Sequence, residues 1–253
     1  MIGGLKDWLR QKALDRIQVS DEQWAEAEAR LPFLGHLDAD ERRRLREMAR
    51  AFLADKEWSA AQDLVLTPEI QLSITLQACL PILNLGLEHY RGWVGVVVYP
   101  GDFVIQRSIM DEDGVVHEYD DPVLGEAWEG GPVLVAWFDD PEDADGVNVV
   151  IHEFAHKLDM ENGAVDGMPR LPADMSRRAW AAAFEPAYED FCARVDAGED
   201  TFLDPYAADH PAEFFAVMSE AFFETPDVLY EEYAAVYEQL KRFYRQDPLQ
   251  RPA

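Results

Sequence analysis

The stretch that most restricts this chain is His152-Glu153-Phe154-Ala155-His156, an H-E-x-x-H pattern inside VNVVIHEFAHKLDM. The surrounding apolar residues recur with helical period, so the stretch reads as an amphipathic helix. On a helix, positions i and i+4 share a face one turn apart, and two imidazoles placed so can grip one metal ion. Zinc suits neutral imidazole nitrogens, at about 2.0–2.1 Å. Glu153 sits beside the first ligand, where its carboxylate reaches a water at the metal rather than the metal itself, the place of a general base. The competing reading is two ordinary surface histidines. Strands before the motif and its mid-helix position argue against it.

A catalytic zinc needs a third protein ligand and an open fourth position. The extended form of the motif, with a glycine and a third histidine further along, is excluded because Asp159 and Asn162 stand at those places. Carboxylates on the following helices remain: Glu185, Glu189, Glu213, Glu220 and Glu224, with His210 as a non-carboxylate option. Glu213 lies in the first turn of the helix opened by Pro211, and Tyr206 precedes it by seven residues. A tyrosine hydroxyl near the metal can donate to a developing oxyanion. A first-turn carboxylate that complements the helix dipole is an equally good reading of Glu213. Glu220, two turns on, shares its face and stays open as ligand or as a residue behind one. Asp159 could hold an imidazole N–H and set its tautomer, or pair elsewhere on the surface. His36, His89 and His117 have no partners at metal spacing and read as structural or surface residues.

The layout around the motif is helices, then a sheet, then helices. Residues 1–90 read as helical. A stripe runs over 4–17, Ser20 caps a second helix, Asp38 opens a third, and Thr67-Pro68 caps a fourth. The uncharged run Ile70–Leu87 contains Gln71, Gln77, Pro81 and Asn84, which makes it a buried helix rather than a membrane span. Within 93–139, the segments WVGVVVYP, DFVIQRSI, GVVHEY and GPVLVAWFD are rich in Val and Ile and punctuated by turn residues, with a hairpin turn expected at Asp111–Gly114. They form a small mixed or antiparallel sheet. The last of them, just before the motif helix, offers an edge for an extended peptide or else is an ordinary core strand. Residues 147–245 carry the remaining helices, with Pro186 as a candidate kink, and the tail QDPLQRPA is expected to be loose. The sum is a single α+β domain over 1–253.

Charge narrows the partners. Fifty acidic against 22 basic side chains give a net charge of −28, which repels nucleic-acid phosphates and anionic membranes alike. The RRRLR run at Arg42–Arg46 reads as a solvated helix face paired with nearby acids. Two distant cysteines, Cys79 and Cys192, exclude a disulfide scaffold and point to a reducing compartment. The first residues have no signal-peptide apolar core, so a cytoplasmic protein is expected.

HEFAHKLDM, preceded by YP…GPVLVAW and followed by DPYAADHPAEFFAVMSEAFF, resembles the Mlc titration factor A family of bacterial zinc metallopeptidases. LPFLGHLDADERRRLRE and TLQACLPILNLGLEHYRGW are similar to that family too, so the likeness runs from about Leu31 to about Phe223. It implies a zincin-like, gluzincin-type site holding one Zn2+, with His152, His156 and Glu213 as ligands, Glu153 as the catalytic glutamate and Tyr206 as the oxyanion stabiliser. Here the seven-residue spacing favours Glu213 over Glu220. The resemblance further implies aminopeptidase-type action on short peptides in the cytoplasm, and binding of the sugar-uptake repressor Mlc. The rival function is a non-enzymatic protein that sequesters a transcription regulator around a structural zinc. A weaker third is a zinc hydrolase of non-peptide amides.

Overall fold

A computed structural model describes residue 14 and residues 17–110, 116–138 and 147–250. Most of the 4–17 stripe and the whole Asp111–Gly114 turn lie outside the described residues. Helix α1 (Asp21–Ala29) is opened by a capping box in which Ser20 and Gln23 bond each other's backbone N–H, and α2 (Ala39–Asp55) by the same device from Asp38 and Glu41. Helix α3 (Pro68–Cys79) starts at the Thr67 cap. It is buried continuously from Leu72 to Cys79, which explains its lack of an apolar stripe. The helix read into the Ile70–Leu87 run therefore ends early, just ahead of Pro81, and the chain turns there. No helix among the described residues is long and apolar enough to cross a membrane.

Strand β1 (Glu57–Ala60) lies inside the stretch that reads as helical. EWSA carries no alternation, and it becomes a strand by lying parallel to β2 (Gly95–Tyr99). A two-stranded antiparallel ribbon follows, β3 (Phe103–Met110) with β4 (Val116–Val123). The short β5 (Gly125–Ala127) and β6 (Val133–Ala136) complete a four-stranded mixed sheet in the order β1-β2-β6-β5, with β6 parallel to β2 and β5 antiparallel to β6. All four residues of β6 are buried, as fits a strand paired on both sides. The GPVLVAWFD segment is thus a core strand, and the sheet's edge beside the motif helix is β5.

The motif helix, α4 (Val149–Asp159), is buried along its whole length between β5 and β6 on one side and α3 and α6 on the others. Phe154, on its back, joins Phe52, Tyr90 and Trp93 with ring centroids 5.1–6.2 Å apart. Helix α5 (Arg177–Asp196) runs through Pro186 unbroken. Helix α6 (Pro211–Glu224) is buried on nearly every side, and α7 (Pro226–Tyr244) covers it, kinked at Tyr233 without a proline or glycine to announce it. The tail is fastened up to the last described residues. Gln246 donates to the Leu80 carbonyl, and Asp247 meets Lys241 and Tyr237. The arginines of the RRRLR run are engaged within the chain, Arg46 as a fork on Glu28 and the others on Glu28, Asp40, Glu41 and Asn84.

Candidate metal centre

His152 and His156 project from one face of α4, as their spacing requires, and Glu213 meets them from the first turn of α6. His152 Nε2 lies 3.0 Å from Glu213 Oε2, His156 Nε2 lies 3.1 Å from the same oxygen, and the two Nε2 atoms are 3.1 Å apart. A tetrahedral zinc with bonds of about 2.0–2.1 Å has ligand–ligand edges of about 3.3–3.4 Å. Three borderline N/O donors at nearly that separation fit the ion. Among the described residues they form the one cluster of three or more His, Cys, Asp or Glu able to hold a metal. Of the other candidates, Glu185 and Glu189 are exposed on α5, and His210 caps α6 by accepting from the Ala212 N–H.

Glu220 stands behind the cluster. Its Oε1 lies 2.7 Å from His152 Nδ1, and its Oε2 accepts from the Asn148 backbone N–H at 2.7 Å. A carboxylate there holds the proton on Nδ1 and leaves Nε2 as a lone-pair donor toward the cluster. Asn148 is the hub of this arrangement. It caps α4 through the Ile151 N–H and donates its side-chain amide to Gln77 and to Glu224. Burial works against a charge on His152, but the hydrogen bonds to Glu213 and Glu220 outweigh it and raise the ring well above its ordinary range. The same two carboxylates favour any cation between them. Glu213 is held well below the usual carboxylate range by the two imidazoles, despite its burial.

Asp159 does not hold an imidazole. Its Oδ2 accepts from the Gly167 N–H at 2.8 Å, while its Oδ1 and His156 Nδ1 are buried without a hydrogen-bond partner among the described residues. Gly167 has φ +77°, and a Cβ there would collide with the Pro211 carbonyl. The loop after α4 is thereby pressed against the start of α6, and Trp180 secures it by donating to the Gly167 carbonyl. This contact keeps the ligands of α4 and α6 in register. His36 bonds Phe33 and Gln246, and His89 bonds Glu161 at 2.6 Å. His117 falls on β4, and its side chain lies outside those described.

Glu153 is 5% exposed and turns toward the cleft in front of the cluster, with Oε2 unpartnered among the described residues. Burial pushes its carboxyl up to about 7, against the pull of the two imidazoles. Gly125 of β5 lies directly against it, and any Cβ at that position would strike the Glu153 carboxylate. Tyr206, on the turn Pro205–Ala208, lies with its ring 6.2 Å from that of His152. Asp204 fixes the turn through the Tyr206 N–H. Tyr206 is half exposed, and the partial desolvation of its hydroxyl together with the nearby Glu213 raises the phenol, which keeps its proton. The cleft has a volume of about 500 Å3 and is bordered by β5. Sequence reasoning missed β5 and Asn148. A three-residue strand has no periodicity to read, and Asn148 differs in no visible way from any loop asparagine.

The glucose-regulated metallo-peptidase M90 family profile matches residues 5–245. Mlc titration factor A of Klebsiella pneumoniae (strain 342) is 40% identical over 245 residues, which cover 95% of this chain and 92% of the relative. The protein of that name from Serratia proteamaculans is 40% identical over 235 residues, 90% of this chain and 88% of its own. The one from Yersinia pestis (strain Pestoides F) is 39% identical over 234 residues, 90% and 86%. A match over nearly the whole chain, together with a cluster built from His152, His156 and Glu213, places this protein in the M90 family of metallopeptidases.

Proposed function

We propose that the protein is a zinc peptidase acting on short peptides with a free amino terminus. His152, His156 and Glu213 are its zinc ligands, Glu153 its general base and Tyr206 its oxyanion donor. The observation that carries this reading is the convergence of three ligand atoms within 3.0–3.1 Å of one another, beside a buried glutamate in an open cleft. A zinc ion bound there supplies a Lewis acid for the scissile carbonyl and lowers the pKa of water. Glu153, with a carboxyl near 7, takes a proton from the attacking water and returns it to the departing amine. Tyr206 donates its hydroxyl hydrogen to the carbonyl oxygen as negative charge develops there. β5, the last strand of the sheet and a wall of the cleft, is placed to pair with an extended peptide main chain.

Charge supports amino-terminal rather than carboxy-terminal cleavage. Besides Glu153 and Glu213, the cleft is lined by Asp121, Glu126 and Asp204, and by no Lys or Arg among the described residues. Apart from the metal itself, a substrate carboxylate finds no cationic side chain in the described lining, whereas an α-ammonium group finds carboxylates there. Two free cysteines suit a reducing, cytoplasmic setting. The name shared by the relatives, Mlc titration factor, supports a second activity, the binding of an Mlc-like repressor. The test is hydrolysis of a panel of aminoacyl and short-peptide 4-nitroanilides by zinc-loaded wild type and Glu153→Gln. Turnover abolished in the variant is the expected result. A zinc-loaded wild type that cleaves nothing refutes the peptidase reading and leaves regulator binding as the function to pursue.

A further inference from the structure

Lys157 is among the least expected residues of α4. It follows His156 directly, and it is 5% exposed. Its Nζ donates to two main-chain carbonyls, Trp128 O at 2.5 Å and Gly131 O at 2.9 Å, and stands 4.7 Å from the centroid of the Trp93 ring. Among the described residues no carboxylate is paired with it. Both carbonyls belong to the turn between β5 and β6, which closes on itself through Gly131 N–H to Trp128 O and Trp128 N–H to Pro132 O. The lysine therefore ties the β5–β6 turn to the metal helix.

The strand so tied is the shortest in the sheet. β5 pairs with β6 over only three positions, Gly125 with Val135, Glu126 with Leu134 and Ala127 with Val133. Short edge strands have few ladder bonds to fix them. Yet β5 must be placed closely, because Gly125 abuts the Glu153 carboxylate. We propose that Lys157 is a positioning residue for substrate. Its ammonium clamp sets the height of β5 over α4 and so determines how well an extended peptide main chain pairs along the cleft. This inference rests on the peptidase reading.

The test compares Lys157→Met, which keeps the length of the side chain and removes its donors, with Lys157→Gln, whose amide can still reach one carbonyl. Zinc content is measured first, then kcat and KM on alanine 4-nitroanilide and, by release of free alanine, on tetra-alanine. The affinity of tetra-alanine for zinc-loaded Glu153→Gln protein, with and without each change, is measured by calorimetry. In Lys157→Met the zinc content stays at wild-type level. KM and Kd for the four-residue chain rise about tenfold, equivalent to about 1.4 kcal/mol, while kcat and the single-residue substrate move less than about threefold. Lys157→Gln falls between. Equal loss on both substrates, or loss of zinc in both variants, would assign Lys157 to general folding and overturn the inference. So would unchanged KM and Kd for the longer peptide. A wild type that neither cleaves nor binds tetra-alanine removes the peptidase reading itself and this inference with it.

Discussion

Replacing Glu220 by glutamine tests whether the metal site depends on the carboxylate behind it. Glu220 serves two donors at once, His152 Nδ1 and the Asn148 backbone N–H, each at 2.7 Å, and is buried. Glutamine has one acceptor oxygen and one NH2. With its oxygen toward Asn148, the NH2 faces His152 and favours the tautomer protonated on Nε2, the nitrogen that the metal requires bare. With its oxygen toward His152, the Asn148 N–H at the start of α4 is left buried without an acceptor. One charge-assisted hydrogen bond is lost in either case, worth about 1.5–3 kcal/mol. Where the loss falls on the metal-bound state, zinc affinity drops about 10–150-fold, in line with the 10–100-fold range typical of residues that support a ligand.

Zinc competition against a chromophoric chelator measures this directly. Glu224→Gln is the control. It lies one turn further along α6 and bonds the Asn148 side chain but not His152, so its zinc affinity stays within about threefold of wild type. A Glu220→Gln protein that binds zinc as tightly as wild type would refute the role given to this carboxylate.

Gly125→Ala places a methyl group against Glu153; peptide hydrolysis falls at least about 100-fold, as for a catalytic group displaced by about 1 Å, while zinc affinity on the same chelator assay is retained. Burial, together with the like charge of Glu220, pushes the Glu224 carboxyl up to about 7 against its bond to Asn148. Between its unfolded value of about 4.3 and that value the folded chain holds a proton that the unfolded chain has released, so stability falls as pH rises through this window, by up to about 4 kcal/mol; urea midpoints of Glu224→Gln, which keeps an acceptor for Asn148, lack that fall. Stripping zinc with a chelator separates ligands carried by α4 and α6, and at a free zinc concentration 100 times Kd the bound ion contributes about 2.7 kcal/mol. The thermal midpoint of the stripped protein is therefore lower by about 5–10 °C, and an unmoved midpoint would contradict metal binding by the folded cluster.

Much of the site was legible because its chemistry is carried by side chains at fixed intervals. His152 and His156 declare themselves by one helical turn, and Tyr206 and Glu213 by a seven-residue step that the resemblance makes meaningful. The helix starts at Ser20, Asp38 and Thr67 were legible for the same kind of reason, since a cap is a named residue at a named offset. Three things were not. β1 and β5 are too short for a period to emerge, and they are strands only because a neighbour pairs with them. The tail reads as polar and loose, but Gln246 finds partners distant in sequence, His36 ahead of α2 and the Leu80 carbonyl at the end of α3, and Asp247 bonds back to α7. Asp159 and Glu220 are both carboxylates near a histidine, and only the packing of α6 against α4 decides which one reaches an imidazole.

The pieces that escaped the sequence share a physical cause. Many of the contacts that align the ligands are made to the main chain. Glu220 is anchored by the N–H of Asn148, Asp159 by that of Gly167, Lys157 by the carbonyls of Trp128 and Gly131, and Tyr206 by its own N–H on Asp204. Gly125 contributes by having no side chain at all. A main-chain group has the same chemistry at every residue, so no choice of amino acid marks the place where it is used. The side chains on the other end of these contacts do leave a mark, but only in three dimensions. Lys157 holds two backbone carbonyls, and Glu220 holds the Asn148 N–H while its other oxygen meets His152, both buried beside the metal helix. That signature distinguishes Lys157 and Glu220 from the acidic and basic residues on the surface, where pairs are made between side chains and are worth little. It also predicts where substitutions will act on the reaction without touching a ligand: at the turn closing β5, at the cap of α4 and at the glycine facing Glu153.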